Sequence, residues 1–247
     1  MTAPAQYIAF LSALPVREEY DSADLLVSDI LIAEEGALRM FYAPFDWINP
    51  PARIIILGIT PGWTQMELAY RTARVALAAG RTLDEACRLA KQQASFAGSM
   101  RSNLVRMLDR LGLPGLLRIG SSGDLFGQAA SLLHTSSAIR YPTFVQSANY
   151  TGSNPPAARS AFLLRAAREL LVPELESLPH AAIVPLGRSV EEILDTLAAE
   201  GCFRRKRWLR GFPHPSGANG HRARIFEKNR DSLAQQLRQI LESGGRA

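Results

Sequence analysis

The chain has 247 residues, 47% of them hydrophobic, which suffices for one good-sized core, and its net charge is +5. No apolar run approaches the roughly 20 residues needed to cross a bilayer, and no basic region precedes the short apolar stretch at the N-terminus, so we expect neither a membrane span nor a secretory signal. The two cysteines, Cys87 and Cys202, are too few for a disulfide framework or a four-cysteine metal or iron–sulfur site, so we expect a cytoplasmic protein with reduced thiols.

The first half of the chain is organised around the sequence RIIILGITPG at residues 53–62. A helix is predicted at residues 5–14, followed by mixed short elements and a Pro-rich lead. Residues 54–57 then form an unbroken apolar run, which is typical of a strand buried on both faces of a parallel sheet. The run stops at Gly58, and Pro61-Gly62 forces a turn before helical spacing begins. Open α/β sheets bind ligands at such turns, although an ordinary connection has the same pattern.

Three helices are predicted after this turn, at residues 64–79, from Thr82 to about residue 93, and at residues 100–111. The second begins with the capping box Thr82-Leu-Asp-Glu85, and the third ends at Gly112. Residues 115–127 are rich in Gly and Ser and are predicted to form a loop.

Strands alternate with helices in the second half of the chain. Strands are predicted at residues 130–139, 181–186 and 206–211, and helices at residues 157–169, 172–178, 190–199 and 223–241. The turn-rich segment 142–156 is long for a loop, which often marks a functional segment. The alternation predicts a single domain, an α/β fold in three α/β/α layers around a central, mostly parallel four-stranded sheet.

The positive charge is concentrated between residues 203 and 230. Nine Lys and Arg stand there against one acid, Glu227, so this segment carries +8 and the rest of the chain −3. Such a cluster indicates a polyanionic partner, nucleic acid first, or else a solvated cationic face.

Two turns, at residues 58–62 and 214–217, each follow a predicted strand and precede a predicted helix. We expect both to open on the same edge of the sheet. Small residues, Gly58, Gly62 and Gly217, allow close backbone approach to a ligand, and Ser216 can donate to a phosphate. His214, held between two prolines, can hydrogen-bond a developing anion or shuttle a proton, or it can be a structural histidine bonded to the backbone.

These residues carry a resemblance to a known family. GITPG at residues 58–62 and HPSGA at residues 214–218 resemble the two signature motifs of the uracil-DNA glycosylase superfamily, the first being closest to the mismatch-specific branch. Between them, SFAG at residues 95–98, HTSSAIRYP at residues 134–142 and IVPLG at residues 183–187 resemble further segments of that superfamily, in the same order. Each motif is short, but the ordered set spans about residues 50–240.

The resemblance implies a monomeric enzyme that flips a damaged base out of single- or double-stranded DNA and hydrolyses its N-glycosidic bond, without a metal or other cofactor. His214 would hydrogen-bond the departing base, and Phe96 would stack on it. The residues implied to line the base are Gly58, Ile59, Pro61, Gly62, Phe96 and Ser136. Those implied to hold the DNA backbone are Ser216, Gly217 and Arg222.

Several positions depart from the superfamily pattern. Thr60 stands where members commonly place Asp or Asn to position the attacking water, and a Thr hydroxyl can hold a water but cannot act as a base at neutral pH. Ser136 stands where an Asn usually reads the base edge. Asp46 and His134 are alternative groups for orienting the water. Asp46 is better explained as a capping or turn residue beside prolines, and His134 is equally well explained as a core residue. The helical pair at about residues 65–94 is an insertion of unknown purpose.

Two other functions stay open. The chain could be a catalytically weak or inactive nucleic-acid-binding member of the same fold, or it could act on a modified free nucleotide. The basic cluster beside the second motif favours a polymer.

Overall fold

The computed structural model describes residues 5–96, 99–217 and 219–244. The α-helices are α1 (Ala5–Ala13), α2 (Ser22–Leu25), α3 (Trp63–Ala78), α4 (Leu83–Ala94), α5 (Ser99–Arg110), α6 (Leu113–Leu117), α7 (Ala161–Ala166), α8 (Val172–Glu176), α9 (Arg188–Ala199) and α10 (Arg222–Gly244). The strands are β1 (Leu31–Glu35), β2 (Leu38–Phe41), β3 (Ile54–Gly58), β4 (Leu133–Ser137), β5 (Thr143–Val145), β6 (Ala148–Asn149) and β7 (Ala182–Pro185). Within the described ranges, no helix is both long and apolar enough to cross a bilayer.

The long helices confirm the helical patterns and caps of the sequence. The Thr82 hydroxyl accepts from the Glu85 N–H at 3.3 Å, and the Thr82 N–H donates to Glu85 Oε2 at 3.0 Å, which is the expected capping box at the start of α4. The loop prediction for residues 115–127 is wrong, because α6 and a 3₁₀ turn at Ser122–Phe126 occupy much of this stretch. The Asp109 carboxylate accepts from the Ser122 N–H at 2.7 Å and so orders the turn.

The chain divides into two compact units. The first comprises Met1–Ile48, Thr60–Ser95 and Ile139–Asn154, and the second comprises Asn49–Ile59, Phe96–Ala138 and Pro155–Ala247. The single-domain assignment and the insertion at about residues 65–94 therefore stay predictions.

The second unit is built on a parallel sheet with strand order β4-β3-β7. Ile54 and Ile56 on one face of this sheet pack in an apolar core with side chains of α5, α6 and α10. On the opposite face, the side chain of His134, which is paired with Ile55, contacts Glu174 of α8. Helices therefore cover both faces of a parallel sheet, and the predicted fold class is confirmed.

The expected fourth strand at residues 206–211 is reduced to a single parallel bridge between Trp208 and Ile183. The Ile183 N–H donates to the Arg207 carbonyl at 2.8 Å, but pairing stops soon afterwards. Side chains take the next main-chain donors: Glu191 Oε2 accepts from the Gly211 N–H, and Gln236 Oε1 from the Arg210 N–H, both at 2.8 Å. These bonds satisfy the groups that a strand would have paired.

The first unit contains a sheet that the sequence did not reveal. Its strand order is β1-β2-β5-β6, and all its pairings are antiparallel. The turn-rich segment 142–156 supplies β5 and β6. The helices of this unit include α1, α3 and α4, and the ring of Tyr7 on α1 stacks on Tyr42 with a centroid distance of 4.7 Å.

The basic cluster of the sequence separates into buried and exposed charges. Arg207 is only 4% exposed, and its guanidinium donates to the carbonyls of Leu175, Leu178 and Ala181 at 2.7 to 2.9 Å. Residues 204–206 are exposed. They directly precede a segment that runs parallel to β7, so they lie toward the amino end of the sheet, whereas residue 214 follows its carboxyl end.

Replacing Arg207 by Met should destabilise the second unit by about 3 kcal/mol, because three buried carbonyls would lose their donors. Arg205→Met removes an exposed charge of the same cluster and should change the free energy of unfolding by less than about 0.5 kcal/mol. Urea denaturation of both variants measures the difference. Equal midpoints would contradict the structural role of Arg207.

Candidate functional site

Three strand ends lie level at the carboxyl edge of the parallel sheet. Gly58 of β3 is paired with Ser137 of β4, and Leu57 with Pro185 of β7. Beyond the strands, the Ala138 N–H donates to the Gly58 carbonyl and the Leu186 N–H to the Leu57 carbonyl, both at 2.8 Å. The edge is therefore fixed by main-chain hydrogen bonds past the last paired residues.

The turn that contains His214 meets this edge at Gly187. The Gly187 N–H donates to the Phe212 carbonyl at 3.2 Å. A β-carbon on Gly187 would lie 3.1 Å from the His214 β-carbon, which is closer than nearly all real contacts of this kind. Gly187 also has φ +94° and ψ 170°, a conformation that is essentially restricted to glycine. His214 thus lies beside the end of β7, as the two-turn prediction expected.

Polar side chains hold the main chain of the His214 turn. Asn103, a buried residue of α5, donates through Nδ2 to the Pro215 carbonyl at 2.9 Å. Arg222 Nη1 donates to the same carbonyl at 3.1 Å and also to the Ser216 carbonyl. One guanidinium nitrogen of Arg222 is thus committed to the turn rather than to a phosphate. Sequence reasoning missed Asn103, whose only signal was a polar residue on the apolar side of a helix.

The imidazole of His214 is held in one tautomer. Its Nδ1 accepts from the Ser216 N–H at 3.2 Å, which in a neutral ring leaves the proton on Nε2. Burial lowers the pKa of His214 below its ordinary value of 6.5, so the ring is neutral at pH 7. Nε2 has no hydrogen-bond partner among the described residues. The site therefore presents a neutral N–H donor.

His214 lines a cleft of about 480 Å³ together with residues of α9 and α10. The α9 wall carries Glu191, Glu192 and Asp195, each of which is paired with an arginine: Arg188 with Glu192 at 2.6 Å, and Arg210 with the other two. The carboxylates of this wall are thus balanced by Arg210 and by Arg188, which itself lines the cleft.

Gly58, Phe96 and Ser137 form a second part of the edge. A β-carbon on Gly58 would lie 3.3 Å from Phe96 Cε1 and 3.5 Å from Ser137 Oγ. Phe96 is 7% exposed, belongs to the apolar core of the unit and has a positive φ of 52°. Ile59, the residue after Gly58, is half-buried. Stacking of a base on Phe96 stays a prediction, and Ala97 and Gly98 of the same motif lie outside the described residues.

Ser136 is buried at the end of β4, and its Oγ has no hydrogen-bond partner among the described residues. In the second motif, Ser216 is half-buried and Gly217 is exposed. Ala218 lies outside the described residues. The backbone-binding roles of Ser216, Gly217 and Arg222 stay predictions.

The remaining residues of the first motif belong to the first unit. The Thr60 hydroxyl donates to the Tyr141 carbonyl at 2.9 Å, so its oxygen is left free only to accept. Pro61 is buried. Gly62 precedes α3, and a β-carbon there would lie 3.2 Å from the Asn149 side chain, whose Oδ1 accepts from the Trp63 N–H at 2.8 Å. Asn149 is a helix cap that the sequence did not indicate.

The two alternative water-orienting residues have different environments. His134 is fully buried, with Nε2 2.6 Å from Glu174 Oε1 and Nδ1 accepting from the Asn49 N–H at 3.4 Å, which makes it a core residue. Asp46 is not a turn cap: its Oδ1 accepts from the Tyr141 hydroxyl at 2.5 Å and lies 3.9 Å from Arg140 Nη1. Nowhere in the described ranges do three or more His, Cys, Asp or Glu side chains form a group that could hold a metal ion.

Comparisons with known proteins give one relative by sequence and one by structure. No family model matches the chain. The uncharacterized protein YoxB of Bacillus subtilis (strain 168) is 42% identical over 218 residues, which cover 87% of this chain and 85% of that protein. The crystal structure of wild-type SMUG2 from Pedobacter heparinus is similar with a TM-score of 0.43 and 13% identity, covering 93% of this chain and 96% of that chain.

Gly187→Ala should destabilise the fold by about 1–3 kcal/mol and displace the His214 turn, because it adds both backbone strain and a clash with the His214 β-carbon. Gly112→Ala is the matched control: Gly112 also has a positive φ, of 77°, but nothing lies within 4 Å of its missing β-carbon. Thermal unfolding measures the strain, and the chemical shift of the His214 ring proton measures the displacement. An unchanged His214 shift in Gly187→Ala would contradict the contact.

The depressed pKa of His214 gives a pH dependence with a definite sign. Below pH 6.5 the unfolded chain binds a proton that the folded chain does not, so stability falls as the pH decreases toward the folded-state pKa. Protonation also places a hydrogen on Nδ1, opposite the Ser216 N–H. We expect the His214 resonance, identified by its loss in His214→Gln, to titrate with a midpoint below 6.5 in NMR. A midpoint at or above 6.5 would show that burial does not control this ring.

Proposed function

We propose that this chain, which belongs to the same protein family as YoxB, is a DNA glycosylase-like hydrolase. It would flip a deaminated or mismatched base out of DNA and hydrolyse the N-glycosidic bond in base-excision repair. The observation that carries the proposal is the neutral imidazole of His214, held by the Ser216 N–H at the carboxyl edge of a parallel sheet with its Nε2–H unpartnered among the described residues.

A fixed neutral N–H donor can stabilise a departing base. As the glycosidic bond breaks, negative charge develops on the base oxygen, and a fixed donor stabilises this charge more in the transition state than in the ground state. Asn103 and Arg222 hold the carbonyls of the turn, so the donor needs little reorganisation during the reaction. No proton is transferred to the base, because His214 donates a hydrogen bond and keeps its proton.

The attacking water would be oriented by Thr60 rather than activated by it. The Thr60 hydroxyl already donates to the Tyr141 carbonyl, and its oxygen can accept a hydrogen from water but cannot remove a proton at neutral pH. The cationic sugar left after base departure is a strong electrophile and needs a positioned water more than a strong base. The proposal therefore includes slow turnover, with most of the rate enhancement coming from the leaving-group side.

The ligand is proposed to be single- or double-stranded DNA that contains a damaged base, bound by a cytoplasmic monomer. Ser216 and Gly217 on the exposed side of the turn are proposed to bind the flanking phosphates through their hydroxyl and main-chain N–H groups. Arg222 would add charge next to them through its free nitrogens. Arg224 and Lys228 are exposed on the same helix, α10, and add to its positive charge.

A second candidate is a binding protein that recognises the flipped base without hydrolysing it. This candidate is favoured because position 60 has no carboxylate or carboxamide. Its threonine hydroxyl already donates to the Tyr141 carbonyl. The two candidates share the His214 donor and differ in whether the bound base is released.

Labelled oligonucleotides carrying uracil, hypoxanthine, xanthine or a mismatch, single- and double-stranded, test the proposal under single-turnover conditions, with alkali to break abasic sites. We expect cleavage of at least one substrate and a loss of about 100-fold or more in His214→Ala. His180→Ala, which removes an exposed histidine preceding β7, is the matched control and should keep the wild-type rate.

Absence of cleavage with retained, salt-sensitive binding of damaged DNA would support the binding protein instead. Equal rates for His214→Ala and the wild type would overturn the role of the histidine in either candidate.

A further inference from the structure

The two serines at the end of β4, Ser136 and Ser137, lie on opposite faces of the parallel sheet. Side chains of paired residues in a parallel sheet point to the same face, and the face alternates along each strand. Ile54 and Ile56 face the core formed with α5 and α10, and Gly58, two residues further along β3, lies on the same face. Ser137 is paired with Gly58, whereas Ser136 is paired with Leu57 and shares the opposite face with His134.

The distances agree with this assignment. Ser137 Oγ lies 3.5 Å from the position that a β-carbon on Gly58 would occupy, and the edge of the Phe96 ring lies 3.3 Å from the same point. Ser137 is half-buried, and its hydroxyl has no hydrogen-bond partner among the described residues. The hydroxyl therefore stands beside Phe96 at the carboxyl edge, where it is available to a ligand.

We infer that Ser137, and not Ser136, is the residue that hydrogen-bonds the base in this site. The inference rests on the proposed function, because it names the residue that would read the edge of the bound base. Gly58 leaves room for the contact, since a β-carbon there would crowd the Phe96 ring and touch Ser137 Oγ. The orphaned hydroxyl of Ser136 belongs to the opposite face, toward α8.

A serine hydroxyl sets the class of base that the site accepts. It rotates freely, so it can donate to a carbonyl oxygen or accept from a ring N–H. A carboxamide, in contrast, presents a donor and an acceptor in a fixed arrangement and matches one base edge. We therefore expect weak discrimination among the oxo-bases produced by deamination, both pyrimidine and purine.

The test compares Ser137→Ala with Ser136→Ala in single-turnover excision of uracil, hypoxanthine and xanthine. Loss of one neutral hydrogen bond should lower the rate about 3- to 10-fold in Ser137→Ala and change the ratios among the bases. Ser136→Ala should keep all rates within about twofold. Thermal unfolding of both variants shows whether the fold is intact.

The reverse pattern, with Ser136→Ala impaired and Ser137→Ala unaffected, would overturn the inference, and so would equal rates for both variants and the wild type. If the wild type cleaves nothing, the same variants are compared in equilibrium binding of the damaged oligonucleotides by fluorescence anisotropy. Weaker binding by Ser137→Ala alone would then support Ser137 while refuting hydrolysis. Binding that does not depend on Ser137 would refute the inference as well.

Discussion

The main-chain hydrogen bonds that extend the parallel sheet past its last paired residues are the constraint on which the site depends. The Ala138 N–H bonds the Gly58 carbonyl, and the Leu186 N–H bonds the Leu57 carbonyl, each at 2.8 Å. These bonds bring the ends of β4, β3 and β7 to one level. Because Gly187 follows directly and contacts His214, the position of the imidazole is set by the sheet and not by a free loop. A site built on strand ends is more rigid than one built on loops alone.

The chemistry of His214 follows from the same constraint. A histidine in solution is close to half protonated near pH 6.5, and its neutral form exchanges between two tautomers, so its proton is not confined to one nitrogen. Here burial disfavours the cation, and the Ser216 N–H occupies Nδ1. Both effects leave the single proton on Nε2. The prolines on either side of His214 explain why the sequence alone suggested a rigid histidine, but the tautomer depends on a main-chain contact that only the fold provides.

Much of the parallel unit was predictable because its strands are buried on both faces. Residues 54–57 are all apolar, so the strand could be recognised without an alternation of apolar and polar residues. The antiparallel sheet of the first unit was missed because its strands are short and its pairing partners, β2 and β5, lie about 100 residues apart in sequence. Arg207 was misassigned for a different reason: it stands in a run of four basic residues, and only the fold buries it against the carbonyls that follow α8 and precede β7.

The choice between Ser136 and Ser137 shows where sequence resemblance reaches its limit. Strand side chains alternate between faces, so an alignment that is shifted by one residue exchanges the core face for the opposite one. The motif HTSSA consists mostly of small polar residues, so its sequence alone does not determine which of two alignments, one residue apart, is correct. The register does determine it, because Ser137 is paired with Gly58, which lies beside Phe96, whereas Ser136 is on the opposite face. Assigning residue roles at a strand end therefore requires the pairing register as well as the order of the motifs along the chain.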